Sequence, residues 1–202
     1  MIKYIKIQKE FGTMNVYDAI MARRTIRKFT QKEIAQEDLT KLVDCARMAA
    51  YGANVQPLKF AVVTDKKLLD DIFPSTKWAG YLTDGAPKEN ERPTAYVAVL
   101  GDRSIKQNGA FEVEAGAAVT TMMLEAVEMG LASCWLGAIQ RDEIKKTLNL
   151  DDNLDIVYLL ALGYPDQKSR AVEMNGDIKY FEDRDGIINV PKRPLKEILI
   201  KK

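Results

Sequence analysis

Residues Gly109 to Met129 carry the longest helical pattern in the chain, apolar on more than one face through Phe111, Val113, Ala115, Ala118, Val119, Met122, Met123, Leu124, Ala126 and Val127. A helix that is greasy around most of its circumference needs partners on most of its sides, so it belongs in a core or against another subunit. Gly116, Ala117 and Ala118 add a small-residue stretch that another backbone can approach closely. Core packing accounts for the apolar residues by itself. A subunit interface is the second reading, because one domain has limited protein with which to cover every face.

The flanking segments supply that protein. Val16 to Ala22 reads as a short amphipathic helix with Asn15 as its N-cap, and Glu37 to Ala50 repeats apolar residues at helical spacing through Leu39, Leu42, Val43, Ala46 and Ala49. Phe60–Thr64, Thr94–Leu100 and Asp155–Leu162 are strand-like, Asp65 to Phe73 and Arg141 to Leu148 are short helices, and Gly130 to Ile139 is a strand ending in Gly137-Ala138. Between Pro74 and Pro93 the chain is rich in Pro, Gly and charge, and its aromatics Trp78 and Tyr81 give it the character of a binding loop as much as of a surface excursion. At 202 residues we expect one domain over residues 14–202, preceded by an extension at 1–13, with Met14 an alternative start. Beyond Pro165 the chain turns polar, then apolar again at Ile187, Ile188, Val190, Leu195, Ile198, Leu199 and Ile200, the pattern of a tail that wraps on something.

Composition enters chiefly by exclusion. Thirty cations against twenty-nine acids leave no global field for nucleic acid or an acidic membrane, so any anion must be met locally. With no histidine, Ser-His-Asp and Cys-His catalysis and the usual zinc sites are removed. Cys45 and Cys134 lie far apart without a CxxC pairing, which points to reduced thiols in a cytoplasmic protein. Nowhere do eighteen uncharged apolar residues run together, so we expect no membrane span.

Three local patterns carry chemistry. Arg23-Arg24-Thr25-Ile26-Arg27-Lys28-Phe29 places four cations and a hydroxyl in six residues with no acid, closed by an aromatic. Arginine's planar fork suits two-pronged bonding to an oxyanion, so the run is a candidate phosphate grip, and a solvated, dipole-favoured helix end is the equally simple alternative. Tyr51-Gly52-Ala53-Asn54-Val55-Gln56-Pro57 has turn chemistry and two side-chain amides between a helix and a strand. The glycine at Gly137 allows close approach of a ligand.

Taken in order, the basic run, Asn54-Val55-Gln56-Pro57, Gly130 through Gly137-Ala138, and Ala161-Leu162-Gly163-Tyr164-Pro165 resemble the nitroreductase-like family of FMN flavoproteins, at about that family's spacing. The resemblance covers Met14 to Pro165, with Pro191 to Leu195 resembling a C-terminal phosphate-side segment. It implies an α+β fold with a central mixed β-sheet flanked by helices, and a domain-exchanged homodimer holding FMN at the interface. It assigns Arg23, Thr25 and the neighbouring Arg24 to the FMN phosphate, Arg27 to the pyrimidine side of the ring, and Asn54 and Gln56 to a loop offered by the other subunit. Leu136, Gly137 and Ala138 match the strand end facing the ring, and Arg193 with Lys192 a second phosphate cation. Ala50-Tyr51 and Leu58 depart from the family's usual residues around the amide loop, and Thr120-Thr121 stands where an amide pair is common.

The function so implied is an FMN-dependent oxidoreductase with ping-pong turnover. NADH or NADPH gives hydride to flavin N5, and an electron-poor acceptor such as a nitroaromatic or quinone collects the electrons. No metal and no catalytic side chain is then needed, and Tyr51, Trp78 and Tyr81 are candidates for the acceptor pocket. An FMN-binding storage or redox-sensing protein with little NAD(P)H turnover is the alternative.

Overall fold

The structure is a computed structural model that describes residues 14–202; the expected extension at 1–13 lies outside the described residues. Four strands form the main sheet in the order β1-β2-β4-β3, namely β1 (Leu58–Val63), β2 (Ala95–Asp102), β4 (Leu154–Gly163) and β3 (Ala132–Leu136). Every pairing among these strands is antiparallel, so the central sheet itself is antiparallel rather than mixed, and the parallel contact at its β3 edge is an isolated bridge from Thr25 to Ser133. β2 and β4 are central and covered on both faces, which is why Ile156, Leu159, Leu160, Ala161 and Leu162 run almost without a polar break.

The period of two along each strand divides the core. Val97, Val99, Leu160 and Leu162 pack under Leu39 and Leu42 of α2 (Gln36–Arg47) and Ala115, Val119 and Met122 of α4 (Glu112–Glu128). Tyr96, Ala98, Leu100, Leu159 and Ala161 face the other way, against Ile72 of α3 (Lys66–Ile72) and Ile144 of α5 (Arg141–Thr147). The result is the expected α+β architecture with helices on both sides of one sheet. The short helix α1 (Val16–Ala22) starts as anticipated, with the Asn15 side chain accepting from the Asp18 amide at 3.0 Å.

α4 settles only half of the choice posed by its sequence. Ala115, Ala118, Val119, Met122, Met123 and Ala126 are buried in this chain's own core, whereas Val113 is 85% exposed and Thr120 stands open on the same side as half-buried Gly116 and Ala117. Core packing therefore explains one face and leaves a stripe that no described residue covers.

The polar segment after Pro165 folds into a second sheet, which its composition did not announce. β5 (Ser169–Glu173), β6 (Phe181–Glu182) and β7 (Ile188–Lys192) pair in the order β5-β7-β6, parallel between β5 and β7. Buried Asn189 holds it: its Oδ1 accepts from Arg170 Nε at 2.6 Å and its Nδ2 donates to Asp183 Oδ2 at 2.9 Å, while Arg170 pairs with Asp183 at 2.8 Å. Ile188 is fully buried, but Leu195, Ile198, Leu199 and Ile200, in and after α6 (Leu195–Ile198), remain exposed. Within this chain the tail wraps only as far as β7. No described helix is long and apolar enough to cross a membrane.

Candidate functional site

Residues 23–29 leave α1 as an extended strip laid along the β3 edge. Ile26 and Phe29 are its buried anchors, and the Ile26 amide donates to the Ser133 carbonyl at 3.0 Å. Phe29 lies so close to Gly163 that a Cβ there would come within 2.8 Å of it, so only glycine admits the contact. The Phe29 amide donates to the Glu91 carbonyl at 2.9 Å, the Arg27 amide to Gln167 Oε1 at 3.1 Å, and the Asp166 amide to the Lys28 carbonyl at 3.0 Å. The backbone is thus fixed on both sides, and the cationic side chains inherit that fixity.

Their electrostatics differ. Burial lowers the pKa of Arg23; burial and then the Arg23 charge lower that of Arg24; burial followed by the charges of Arg24 and Arg23 lowers that of Lys192. Among the described residues none of the three is ion-paired with an acid, and Arg24 Nε is buried without a hydrogen-bond partner while its other nitrogens donate to the Arg23 and Met21 carbonyls. Crowded, half-desolvated cations are unfavourable unless an anion joins them. Lys28 is different, being paired with Glu91 at 3.6 Å, and Arg193 is drawn to Glu197 at 3.7 Å. Of the cations read from the sequence, Arg23, Arg24 and Lys192 converge.

Beside them opens a cavity of about 490 Å³ lined by Arg23, Thr25, Thr120, Met123, Trp135 and Gly137. Gly137 and Ala138 are exposed at the end of β3, whereas Leu136 is buried on the opposite face and can offer only backbone. Trp135 was missed in the sequence, although period-two alternation places it on the same side as Gly137; its ring meets Tyr158 edge-on at 5.0 Å and stays 37% exposed. Thr120 and Met123 were likewise not assigned to a site. Cys134 is no nucleophile here, because burial pushes its thiol up to about 11, with the Arg27 charge opposing.

The other candidates are not on the cavity wall of their own chain. Asn54 and Gln56 sit on an exposed turn in which Ala53, Asn54 and Gln56 all have positive φ, at 49°, 55° and 51°. Such a conformation costs about 1 to 3 kcal/mol per non-glycine residue and tends to mark a functional loop. Tyr51 donates its hydroxyl to the Ala46 carbonyl at 3.0 Å, and Trp78 donates Nε1 to Thr76 Oγ1 at 2.7 Å while stacking on Phe73. Both are thereby tied to their own scaffold. Tyr81, half exposed, packs on Tyr180 with ring centroids 5.0 Å apart, and the Arg27 guanidinium lies 4.6 Å over the Tyr180 ring.

With that geometry in place, the comparison with known families is decisive. The profile of the nitroreductase family matches residues 20–164, well over half of the chain. The chain belongs to the nitroreductase family. Within the family it is similar to an Archaeoglobus fulgidus protein described as an NADH dehydrogenase/NAD(P)H nitroreductase, 26% identical over 82% of this chain and 92% of that one. It is also similar to a 4-nitrobenzoate reductase of Pseudomonas putida, 26% identical over 76% of this chain and 87% of that one. A Desulfovibrio desulfuricans crystal structure, described as a nitroreductase in complex with FMN, superposes with a TM-score of 0.69 at 28% identity, covering 94% of this chain and 98% of the other.

Proposed function

We propose that this nitroreductase-family protein is an FMN-dependent NAD(P)H oxidoreductase that reduces electron-poor acceptors such as nitroaromatics or quinones, working as a cytoplasmic homodimer. The observation that carries the reading is the convergence on Arg23, which lines the cavity with Thr25 and Gly137, of Arg24 and Lys192, with no acid paired to them among the described residues and a buried unpartnered Arg24 Nε. An FMN phosphate is dianionic near neutral pH and supplies the charge and acceptor oxygens that this cluster lacks. The residues therefore fit the cofactor.

When bound, FMN supplies the redox chemistry, accepting hydride from NADH or NADPH and passing electrons to the acceptor. The chain's own part is to bind and orient. Arg23, Arg24, Thr25 and Lys192 hold the phosphate, and Arg193 joins them only by leaving Glu197. Arg27 provides a fixed positive charge for the pyrimidine side, which favours electron uptake. Gly137 keeps a side chain away from the ring, Gly137 and Ala138 offer backbone, and Trp135 with Met123 forms an apolar wall. No side chain acts as an obligatory acid or base, and solvent supplies protons.

A second copy of the chain completes the site in this reading. Among the described residues Val16, Tyr17, Ile20 and Met21 on α1 and Val113 on α4 are each exposed, as are Leu195, Ile198, Leu199 and Ile200 of the tail, apolar area that a second copy would cover. The strained Asn54–Gln56 turn then reaches the partner's flavin, and the tail wraps the partner. Titration of the purified protein with FMN, followed by anaerobic addition of NADH and then NADPH, tests the assignment. Bleaching of the flavin absorbance by either nucleotide is expected, and a protein that takes up no FMN sinks it. Sedimentation at equilibrium tests the dimer, with a stable lone subunit as the contrary result.

A further inference from the structure

Arg27 is held in an unusual way. Among the described residues its guanidinium has no ion pair and no hydrogen bond; the contact that places it is the face of Tyr180, 4.6 Å from the ring centroid. A carboxylate in that position would fix the guanidinium and cancel its charge. An aromatic face attracts a cation through its quadrupole but carries no net charge, so the arginine is positioned and its field is left for another group.

Tyr180 is itself fixed from two directions. Its ring packs on Tyr81 at 5.0 Å, and its hydroxyl oxygen accepts from the Tyr81 amide at 3.5 Å, which ties it to the 74–93 segment. On its C-terminal side Phe181 pairs with Asn189 in the second sheet, and Asn189 is locked to Asp183 and Arg170. The 74–93 segment and the second sheet thus both act on the guanidinium through the one ring of Tyr180. The Arg27 amide, bonded to Gln167, fixes the backbone beneath it.

We infer that Tyr180 is a positioning residue for Arg27: its ring holds the guanidinium in place while preserving the positive charge that tunes the bound flavin. The inference rests on the FMN reading above and goes beyond it, because it assigns a function to the second sheet and to the Tyr81–Tyr180 contact. Loss of the ring lets Arg27 roam and weakens its favourable field at the flavin; loss of the hydroxyl alone does not.

The experiment is a double-mutant cycle read as the midpoint potential of protein-bound FMN, with Tyr180→Leu, Tyr180→Phe and Arg27→Ala, each also checked by thermal unfolding. Tyr180→Leu is expected to shift the oxidised-to-reduced equilibrium about tenfold toward oxidised flavin, ~30 mV for a two-electron couple. Tyr180→Phe should restore the native potential, and Tyr180→Leu should add no further shift in the Arg27→Ala background. An unchanged potential in Tyr180→Leu, or an equal shift with and without Arg27, overturns the inference. Native protein that takes up no FMN overturns the cofactor reading instead, so the two failures are distinct.

Discussion

Two charged clusters lie on opposite ends of β7 and obey opposite rules. Around Asn189, Arg170 meets Asp183, and Asp183 also accepts from the amides of Asp185 and Ile187; its carboxyl is held below the usual range by Asn189 and those amides first, with the Arg170 charge a smaller cause. At the other end, Lys192 approaches Arg24 and Arg23, and among the described residues no acid is paired with any of the three. The first cluster is complete and therefore structural. The second is incomplete and therefore asks for a ligand, which is how a binding site differs from a staple when both are made of the same residue types.

Changes aimed at each cluster test that contrast. The largest effect belongs to the shared scaffold: Phe29→Ala removes a fully buried ring beneath the basic strip and should destabilise the protein by about 3 to 5 kcal/mol in urea unfolding. Next, Arg23→Ala should weaken FMN binding by about 1.5 to 3 kcal/mol in calorimetry, the range for a charge-assisted hydrogen bond, while the cofactor-free protein loses no stability. A stability loss without an affinity loss would make the cationic cluster a staple after all. Asn189→Ala should do the reverse, costing about 1 to 3 kcal/mol of stability by stranding Arg170 and Asp183 and changing FMN affinity less than Arg23→Ala does.

The smallest effect is a pH dependence. Lys192 has a folded pKa below its ordinary value of 10.5, so its charged form opposes folding. Stability of the cofactor-free protein should therefore rise as pH climbs through that lowered pKa and level off at the ordinary one. FMN affinity should fall over the same alkaline window, because the lost charge is one that the proposed phosphate site uses. Lys192→Met should flatten both curves; persistence of either would assign the titration to another group.

Most of the fold was legible from the chain itself, because it depends on local periodicity. The helices α1, α2 and α5 and the strands β2 and β4 fall within a few residues of the segments read from apolar spacing. The second sheet was not legible: residues 173–186 are mostly polar, and the order of the segment comes from Arg170, Asp183 and Asn189 meeting across the sheet around buried Ile188. The same limit applies to the site. The basic strip was visible as a run of charges, but that Lys28 is neutralised by Glu91 while Lys192 is not depends on which distant residue arrives beside each. Tyr180 lay unnoticed in the polar segment, since nothing local marks a tyrosine that will lie under an arginine.

The placement of Trp135 has a practical consequence. The chain has two tryptophans, one in the cavity wall and the other, Trp78, stacked on Phe73 away from it. An occupant that absorbs near-ultraviolet light will dim the emission of the first more than that of the second. The protein therefore carries its own optical gauge of occupancy, with an internal reference, and Trp135→Phe should silence the gauge while leaving the reference lit.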